Sequence, residues 1–479
     1  MSGDVLSVAD FSKGLDTRRS PLTAPNGSLR ILENAVINQG GEIEKRLAFV
    51  NVGFIDPAYG YVIGHGQSLH AFAVGTTPPT ITPGTCPVPI ASHMLAPIAG
   101  VTIDALLDAE AYDDKFQVTG FKNSTPQRTY VWYDGVVLND PSGLGPGPEA
   151  NGGYSRTYKT KMYRTNGGYL QFSGTGDPSV LDPASTTNPG AGFINIAIND
   201  PDGESLQGME VFYDKMALFA RLTTQVWALD PDPAQDTLSQ VLRIGTVAPH
   251  SIMQFGTGDI LFLSDSGVRS LKALTINLAA SVSDVGSAID PILAPIVHVG
   301  WPYNTQPRAV VQPNFGRYWL ALGDTIYVLS YFPAGEITAW STLTPGFTVQ
   351  DFAVVENRVF ARDTDGNLYL YGGLDFSTTD SCKVTVRLPH LASGKPTTRK
   401  RCKSVDVVCT NQWSVQLGMI PNNTELYELA ANIDGTTLGI ESIPFAGYGT
   451  HISAHLECAA PGPAVLSAIH FNLQEGWTK

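Results

Sequence analysis

The sequence predicts an all-β protein with a β-propeller-like central region, a C-terminal β-sandwich-like domain and an N-terminal arm. Three observations lead to this prediction. Only 15% of the 479 residues are charged while 48 are glycine and 33 proline, a composition typical of short strands joined by tight turns. Apolar residues alternate with polar ones in short runs, as half-buried strands require. Hairpin-like units recur at a spacing of about 40 to 50 residues, which is typical of propeller blades.

Residues 1–60 form the first predicted segment, an arm or a strand lent to a neighbouring domain. Residues 14–21 are rich in turn formers, and residues 42–46 form a short charged run. Neither stretch resembles the hairpins that follow. We therefore treat this segment separately from the propeller-like region.

Residues 61–380 form the predicted propeller-like region. Its clearest hairpins are residues 315–329, with a turn at Gly323-Asp324, and residues 359–371, with a turn at Asp365-Gly366. Hairpin-like segments with the same strand–turn–strand layout are 61–74, 116–138, 161–181, 209–229, 252–274, 317–340 and 351–371. A set of unrelated hairpins in β-sandwiches is the alternative, because no WD or kelch signature is present.

The remaining elements are a C-terminal domain and two short helices. Residues 381–479 contain longer alternating strands, which predict a separate β-sandwich. Residues 283–297 predict a short helix in which Asp290 is the cap and Pro291 the first helical residue. Residues 102–111 are a second, weaker helix candidate.

The five cysteines and the apolar runs indicate a soluble protein from a reducing compartment. Cysteines in this sequence lie far apart and include no CxxC pair, so free buried thiols are favoured, with one or two disulfides in the last hundred residues left open. The N-terminus lacks the pattern of a secretory signal, and no apolar run approaches the roughly 20 residues that span a bilayer. We expect synthesis in a cytosol and no membrane segment.

The search for catalytic or metal-binding motifs predicts no catalytic residue, no cofactor and no metal site. Gly394-Lys395 is followed by Pro396, so this stretch lacks the upstream glycine and the Ser or Thr of a phosphate-binding loop. Residues 363–367 resemble the start of a calcium loop, but a strand follows, which favours a hairpin turn. His65 and His70 are expected on opposite faces of a strand. A pair of carboxylates suited to glycoside cleavage stays possible, because a propeller can bring distant acids together.

The charge distribution argues against a surface built to bind nucleic acid. The formal net charge is -14, whereas affinity for nucleic acid comes mainly from lysine and arginine. Residues 395–403 nevertheless contain five cations. This basic segment is interpreted either as a contact with an acidic neighbour or DNA, or as a solvated loop. The candidate interface cations are Arg18, Arg19, Arg399, Lys400 and Arg401.

One stretch near the N-terminus resembles a known family. Residues 10–17 read DFSKGLDT and are followed by Pro21, by NAVI at 34–37 and by GGEIEKR at 40–46. This order resembles the start of the tail nozzle proteins (tail tubular protein B-like) of short-tailed phages. Lys13 stands where that family usually has glycine.

The resemblance implies a structural virion protein and not an enzyme. It implies a homohexameric ring in the phage tail, assembled from protein made in the host cytoplasm, with a central channel for DNA ejection. Its partners would be the tail adaptor, tail fibres or a tip protein, and DNA that passes without sequence-specific binding. Two alternatives stay open: a carbohydrate-active β-propeller enzyme, either a glycosidase or a polysaccharide lyase, and a monomeric propeller scaffold.

Overall fold

The computed structural model describes most of the chain. The described residues are 4–95, 103–122, 125–133, 138–139, 152–200, 203–256, 258–273, 280–299, 301, 306–394 and 396–475. About 53% of the residues lie in strands and 6% in helices, which confirms the all-β prediction.

Strands follow one another along the chain with a single α-helix among the described residues. The N-terminal strands are β1 (Asp4–Val8), β2 (Gly14–Leu15), β3 (Ser28–Leu29), β4 (Ile31–Glu33), β5 (Ala35–Ile37) and β6 (Ile43–Lys45). Next come β7 (Phe49–Ile55), β8 (Tyr59–His65), β9 (Ser68–Val74), β10 (Ile81–Thr82), β11 (Ile90–Leu95), β12 (Ile103–Tyr112), β13 (Lys115–Lys122), β14 (Thr125–Tyr133) and β15 (Leu138–Asn139).

The middle of the chain continues in short strands. These are β16 (Gly152–Tyr158), β17 (Lys161–Asn166), β18 (Tyr169–Phe172), β19 (Gly192–Asn195), β20 (Gly208–Phe212), β21 (Lys215–Phe219), β22 (Thr224–Ala228), β23 (Thr237–Leu242), β24 (Met253–Phe255), β25 (Asp259–Ser264), β26 (Gly267–Ala273) and β27 (Ala280–Ser283). Helix α1 (Asp290–Val299) follows.

The last third of the chain completes the fold. Its strands are β28 (Arg308–Gln312), β29 (Arg317–Leu322), β30 (Thr325–Phe332), β31 (Ile337–Leu343), β32 (Val349–Val355), β33 (Arg358–Asp363), β34 (Asn367–Tyr371), β35 (Val384–Arg387), β36 (Lys400–Cys409), β37 (Gln412–Gly418), β38 (Glu428–Asp434), β39 (Ile443–Gly449), β40 (Ser453–Cys458) and β41 (Val465–Glu475).

The strands between β7 and β34 form seven small blade sheets within the described residues. In order they are β8-β9-β11, β12 to β15, β16 to β19, β20 to β23, β24 to β27, β28 to β31, and β32-β33-β34-β7-β10. Each of the seven predicted hairpin segments falls in a different sheet. The hairpins at Gly323-Asp324 and Asp365-Gly366 are confirmed, because Leu322 pairs with Thr325 and Arg362 with Leu368 across those turns.

The seven sheets are arranged as a propeller-like ring. The first strands of successive blades, β8, β12, β16, β20, β24, β28 and β32, each pack against the next, and β32 packs against β8 to close the circle. At this closure a Cβ on Gly64 would collide with the carbonyl oxygen of Val354, so only glycine fits between the two inner strands. The outer strands β7 and β10 complete the last blade from the N-terminal side.

The C-terminal strands form a sandwich together with the N-terminal ones. One sheet has the order β39-β36-β41-β6-β5, with β1 also paired to β41. The other runs β4-β35-β40-β37-β38 and continues through β31 into the sixth blade. Phe11, Ile43, Val405 and Leu456 share one buried core between these sheets.

The strand pairing of the N-terminal segment differs from the predicted boundary at residue 60. Residues 4–45 supply strands of the sandwich, and residues 49–55 supply a strand of the last blade. The N-terminal segment therefore corresponds to the lent-strand alternative and not to a free arm. Its apolar side chains explain this, because a detached arm would leave Phe11, Leu29 and Ile43 in water, whereas here they are fully buried.

One helix prediction is confirmed and one is wrong. Helix α1 covers Asp290–Val299, so the predicted helix forms, but it begins at Asp290 and not at residue 283, and Pro291 is its second residue. The described part of the second predicted helix, residues 103–111, is strand instead, since β12 covers residues 103–112 and pairs with β13. Tertiary pairing outweighs the helix propensity of alanine and leucine there.

The cysteines form no disulfide in the structure. All five cysteines are free; Cys402, Cys409 and Cys458 are buried, while Cys86 and Cys382 are half-buried. Burial raises the pKa of the Cys409 thiol to about 12, so this thiol stays protonated at neutral pH.

Among the described residues, no helix has both the length and the apolar character needed to cross a membrane.

Candidate functional site

The predicted interface cations Arg18 and Arg19 lie on the N-terminal segment beside a buried carboxylate. Arg18 Nε is 3.3 Å from Asp16 Oδ1, and its Nη1 donates to Ser287 Oγ at 3.0 Å. Arg19 Nε lies 3.9 Å from the same carboxylate. Both side chains stay about half exposed, at 42% and 51%. Arg18 therefore links this segment to Ser287, and both arginines still present charge at the surface.

The basic segment is partly a strand, and this corrects one of its predicted interface residues. Arg399 and Arg401 are exposed, and the Arg401 guanidinium lies over the Tyr448 ring at 5.6 Å. Lys400 is only 3% exposed, and its ammonium donates to the carbonyl oxygens of Thr398 and Thr450. Because β36 begins at Lys400, alternate side chains point into the sandwich, and Lys400 is one of them.

A different group of polar residues meets at the axis of the ring. A cavity of about 410 Å³ is lined by inner strands of six blades. Its polar side chains are Tyr61, His65, Asp108, Glu110, Arg156, His250, Arg308 and Asp351. A second cavity of about 450 Å³ shares Arg308 and adds Gln350, Arg362 and Asp363. Pockets of this size suit a small organic ligand.

Arg156 is the centre of one half of this axial cluster. Its Nη1 lies 3.7 Å from Asp108 and 3.6 Å from Glu110, and its Nε donates to Glu210 at 3.2 Å. Asp108 also accepts from the Ser155 backbone N–H at 3.0 Å. Three carboxylates thus surround one guanidinium, which leaves this half with excess negative charge when all three are ionised.

Asp351 is the centre of the other half. Arg362 donates both Nε and Nη2 to Asp351 Oδ2, and Arg308 Nη2 lies 3.9 Å from Asp351 Oδ1. The Arg308 guanidinium also lies over the Tyr61 ring at 5.4 Å. Two guanidinium groups thus share the Asp351 carboxylate, and Asp363 lies on the neighbouring cavity with them.

Burial changes the acidity of two groups in the cavity wall. Desolvation raises the pKa of Glu110 to about 7, although the Arg156 guanidinium opposes this shift. Desolvation also raises the pKa of Tyr61 well above its usual range. Glu110 can therefore accept or release a proton near neutral pH, and Tyr61 stays a hydroxyl donor.

Sequence analysis missed this axial cluster because its members lie on different blades, far apart along the chain. Asp108 and Glu110 fell in the segment interpreted as a helix. As strand residues two apart they project to the same face, which was the one available signal. The pairing of Arg156 with Glu210, 54 residues away, depends on the ring and leaves no local pattern.

A histidine cluster between the first two blades corrects the prediction for His65 and His70. These residues lie on β8 and β9 of one hairpin with ring centroids 6.0 Å apart, so they do not face opposite sides. His70 Nδ1 and His93 Nε2 share a hydrogen bond of 2.8 Å, and their rings stack. The turn between β8 and β9 reverses the strand, which a single-strand interpretation could not include. No group of three metal-binding side chains occurs in the described part of the chain.

We expect acid to destabilise this histidine cluster. Burial lowers the pKa of His93 to about 4, from 6.5, so the unfolded chain binds more protons between these pH values. Stability should therefore fall as the pH drops from about 6.5 towards 4, by about 1–2 kcal/mol after allowance for solvent screening. Urea unfolding of the protein and of His93→Gln at pH 7.5 and 4.5 measures this. If the wild type and His93→Gln lose the same free energy of unfolding between pH 7.5 and 4.5, His93 is not the group responsible.

The suspected calcium loop is a hairpin turn. Asp363 accepts hydrogen bonds from the backbone N–H groups of Asp365 and Asn367 and from the Tyr369 hydroxyl. Its carboxylate therefore caps the turn between β33 and β34, as predicted. Residues 143–147, a glycine-rich stretch of the sequence interrupted by Pro146, lie outside the described residues.

Comparison with known proteins gives structural similarities only. No protein-family model and no curated protein matches the chain. A computationally designed protein, Ika8, aligns with 10% identity over 68% of this chain and 99% of its own, with a TM-score of 0.39. BamB from Moraxella catarrhalis aligns at 10% identity over 56% and 83%, with a TM-score of 0.30.

A luciferin-regenerating enzyme is a further similar structure, with 9% identity over 57% of this chain and 93% of its own and a TM-score of 0.35. We draw no functional conclusion from scores this low. The chain is an all-β protein with a propeller-like ring and a sandwich, as its own strand pairing and packing show.

Proposed function

We propose that this chain is a structural virion protein of the tail-nozzle kind, which assembles into a ring with a central channel for DNA ejection below a tail adaptor. The observation that supports this most is the open, apolar edge of the sandwich. The resemblance of residues 10–46 to nozzle proteins and the net charge of -14 also support it. A negative wall would let DNA pass without adhering to it.

The open edge is formed by β38 and the loops on either side of it. Among the described residues β38 pairs with β37 alone, so its outer backbone groups face away from the sheet. Large exposed apolar side chains lie in this region: Ile420, Leu426, Leu429, Leu438 and Ile440. Natural proteins usually protect such an edge, so an exposed apolar one indicates a contact surface.

Charge around this edge suits a head-to-tail contact between copies. Residues 404–478 contain no lysine or arginine, and Glu425, Glu428 and Asp434 are exposed near β38. A ring requires two different surfaces on each subunit. The exposed cations Arg18, Arg19, Arg399 and Arg401 are candidates for the complementary surface, and Lys400 no longer is.

The ring is tested by measuring mass in solution. We expect the protein alone at high concentration to form a species of about six times 51.2 kDa. With its adaptor, we expect a larger complex that contains six copies of the chain. Leu429→Asp places a charge on the β38 edge and should weaken self-association at least about tenfold. Leu222→Asp is the matched control, because Leu222 is exposed on a blade turn far from this edge in sequence. A wild-type protein that stays monomeric in both conditions would refute the ring.

A carbohydrate-active enzyme is the second candidate, favoured by the axial carboxylates. Asp108 and Glu110 lie within 4 Å of one Arg156 nitrogen, and the pKa of Glu110 is raised to about 7, as a general acid requires. All three carboxylates near Arg156 are already engaged by it, however, which suits a structural role equally well. Release of reducing ends from an acidic capsular polysaccharide, lost in Glu110→Gln, would favour the enzyme.

A further inference from the structure

We propose that the axial cavity binds a carboxylate-bearing sugar unit, with Arg308 as the residue that takes the carboxylate. Binding at this site requires neither assembly of several copies of the chain nor cleavage of a bond, so the proposal is independent of both functions considered above. The argument rests on the long ion pair of Arg308, on an unsatisfied buried donor, and on the chemistry of the other polar residues in the cavity wall.

Arg308 makes one long ion pair among the described residues. Its nearest carboxylate, Asp351, is 3.9 Å away and already receives two hydrogen bonds from Arg362. The neighbouring Asp363 accepts hydrogen bonds from the backbone of its own turn. The Arg308 guanidinium is therefore paired with its nearest carboxylate only at long distance.

Arg308 is also an incompletely satisfied donor. The residue is 8% exposed; its Nε donates to the Gln350 carbonyl at 3.1 Å, while its Nη1 has no hydrogen-bond partner among the described residues. A buried charged donor without a partner is costly, and an anion beside the guanidinium would remove that cost. Arg308 lines both axial cavities, so a ligand in either one lies beside it.

The other polar residues of the cavity wall indicate which kind of anion fits. Asp108, Glu110 and Tyr61 line the same cavity as Arg308. Ionised carboxylates accept hydrogen bonds from hydroxyl groups but repel a compact inorganic anion. A ligand that has both a carboxylate and hydroxyl groups can therefore bind Arg308 and these acceptors together. The two cavities, of about 410 and 450 Å³, have room for one such unit.

Calorimetric titration of the full-length protein with D-glucuronate, D-glucose and acetate tests the proposal. We expect glucuronate to bind at least about tenfold more tightly than either glucose or acetate, because only glucuronate has both recognition elements. Arg308→Gln should weaken glucuronate binding about tenfold or more. Arg221→Gln is the matched control, since Arg221 is 63% exposed and outside both cavities, and it should bind as the wild type does.

Several outcomes would overturn the proposal. Absence of glucuronate binding to the wild type would remove the site. Equal affinity for glucuronate and acetate would show a simple anion contact, and equal affinity for glucuronate and glucose would remove the role of the carboxylate. Unchanged affinity in a folded Arg308→Gln would remove Arg308. If that variant does not fold, the ligand preference of the wild type alone decides.

Discussion

Trp319→Ala should lower the free energy of unfolding by about 3–5 kcal/mol, the usual cost of removing a fully buried tryptophan. Trp319 lies on the sixth blade and is fully buried. Its ring contacts Tyr371 and Phe49 of the last blade, with centroids 4.7 and 6.1 Å away. Phe49 is the first residue of β7, so this cluster packs the N-terminal strand of the last blade against the sixth blade.

Urea unfolding followed by circular dichroism measures this loss. Phe193→Ala is the matched control, because Phe193 is a blade aromatic that is 44% exposed and should cost about 1 kcal/mol or less. Similar losses in the two variants would show that the cluster around Trp319 does not hold the ring closed.

Asp351→Ala should cost about 3–5 kcal/mol, because it leaves buried guanidinium groups without their carboxylate. Asp351 and Arg362 are 3% and 2% exposed, and Arg362 also donates to the Tyr59 carbonyl. Arg308 would lose its nearest anion at the same time. The effect therefore exceeds that of a surface ion pair, which is worth at most about 1 kcal/mol.

Two further variants separate charge from volume in this prediction. Asp351→Asn keeps a hydrogen-bond acceptor and should be less destabilising than Asp351→Ala. Asp375→Ala removes an exposed carboxylate and should change stability by about 0.5 kcal/mol or less. A loss below about 1 kcal/mol for Asp351→Ala would mean that solvent compensates the arginines.

Local sequence determined the hairpins and helix α1. Turn residues such as Gly323 and Gly366 adopt positive φ angles that other residues rarely tolerate, so their positions are visible in the sequence. Asp290 and Pro291 likewise mark the start of α1 by local capping chemistry. The composition and the spacing of hairpins gave the all-β class and the propeller-like expectation for the same reason: they depend on neighbours along the chain.

Tertiary structure alone decided how the segments join and where the polar site lies. The N-terminal strands pair with strands more than 300 residues away, as β7 does with β34, and no local pattern records such a partner. The axial cluster combines Asp108, Arg156, Arg308 and Asp351, which meet only when seven blades close. Lys400 is buried although its neighbours are exposed, because the register of β36 sets its direction. Each of these features depends on packing between residues far apart in the chain, and local hydrophobic periodicity carries no information about such partners.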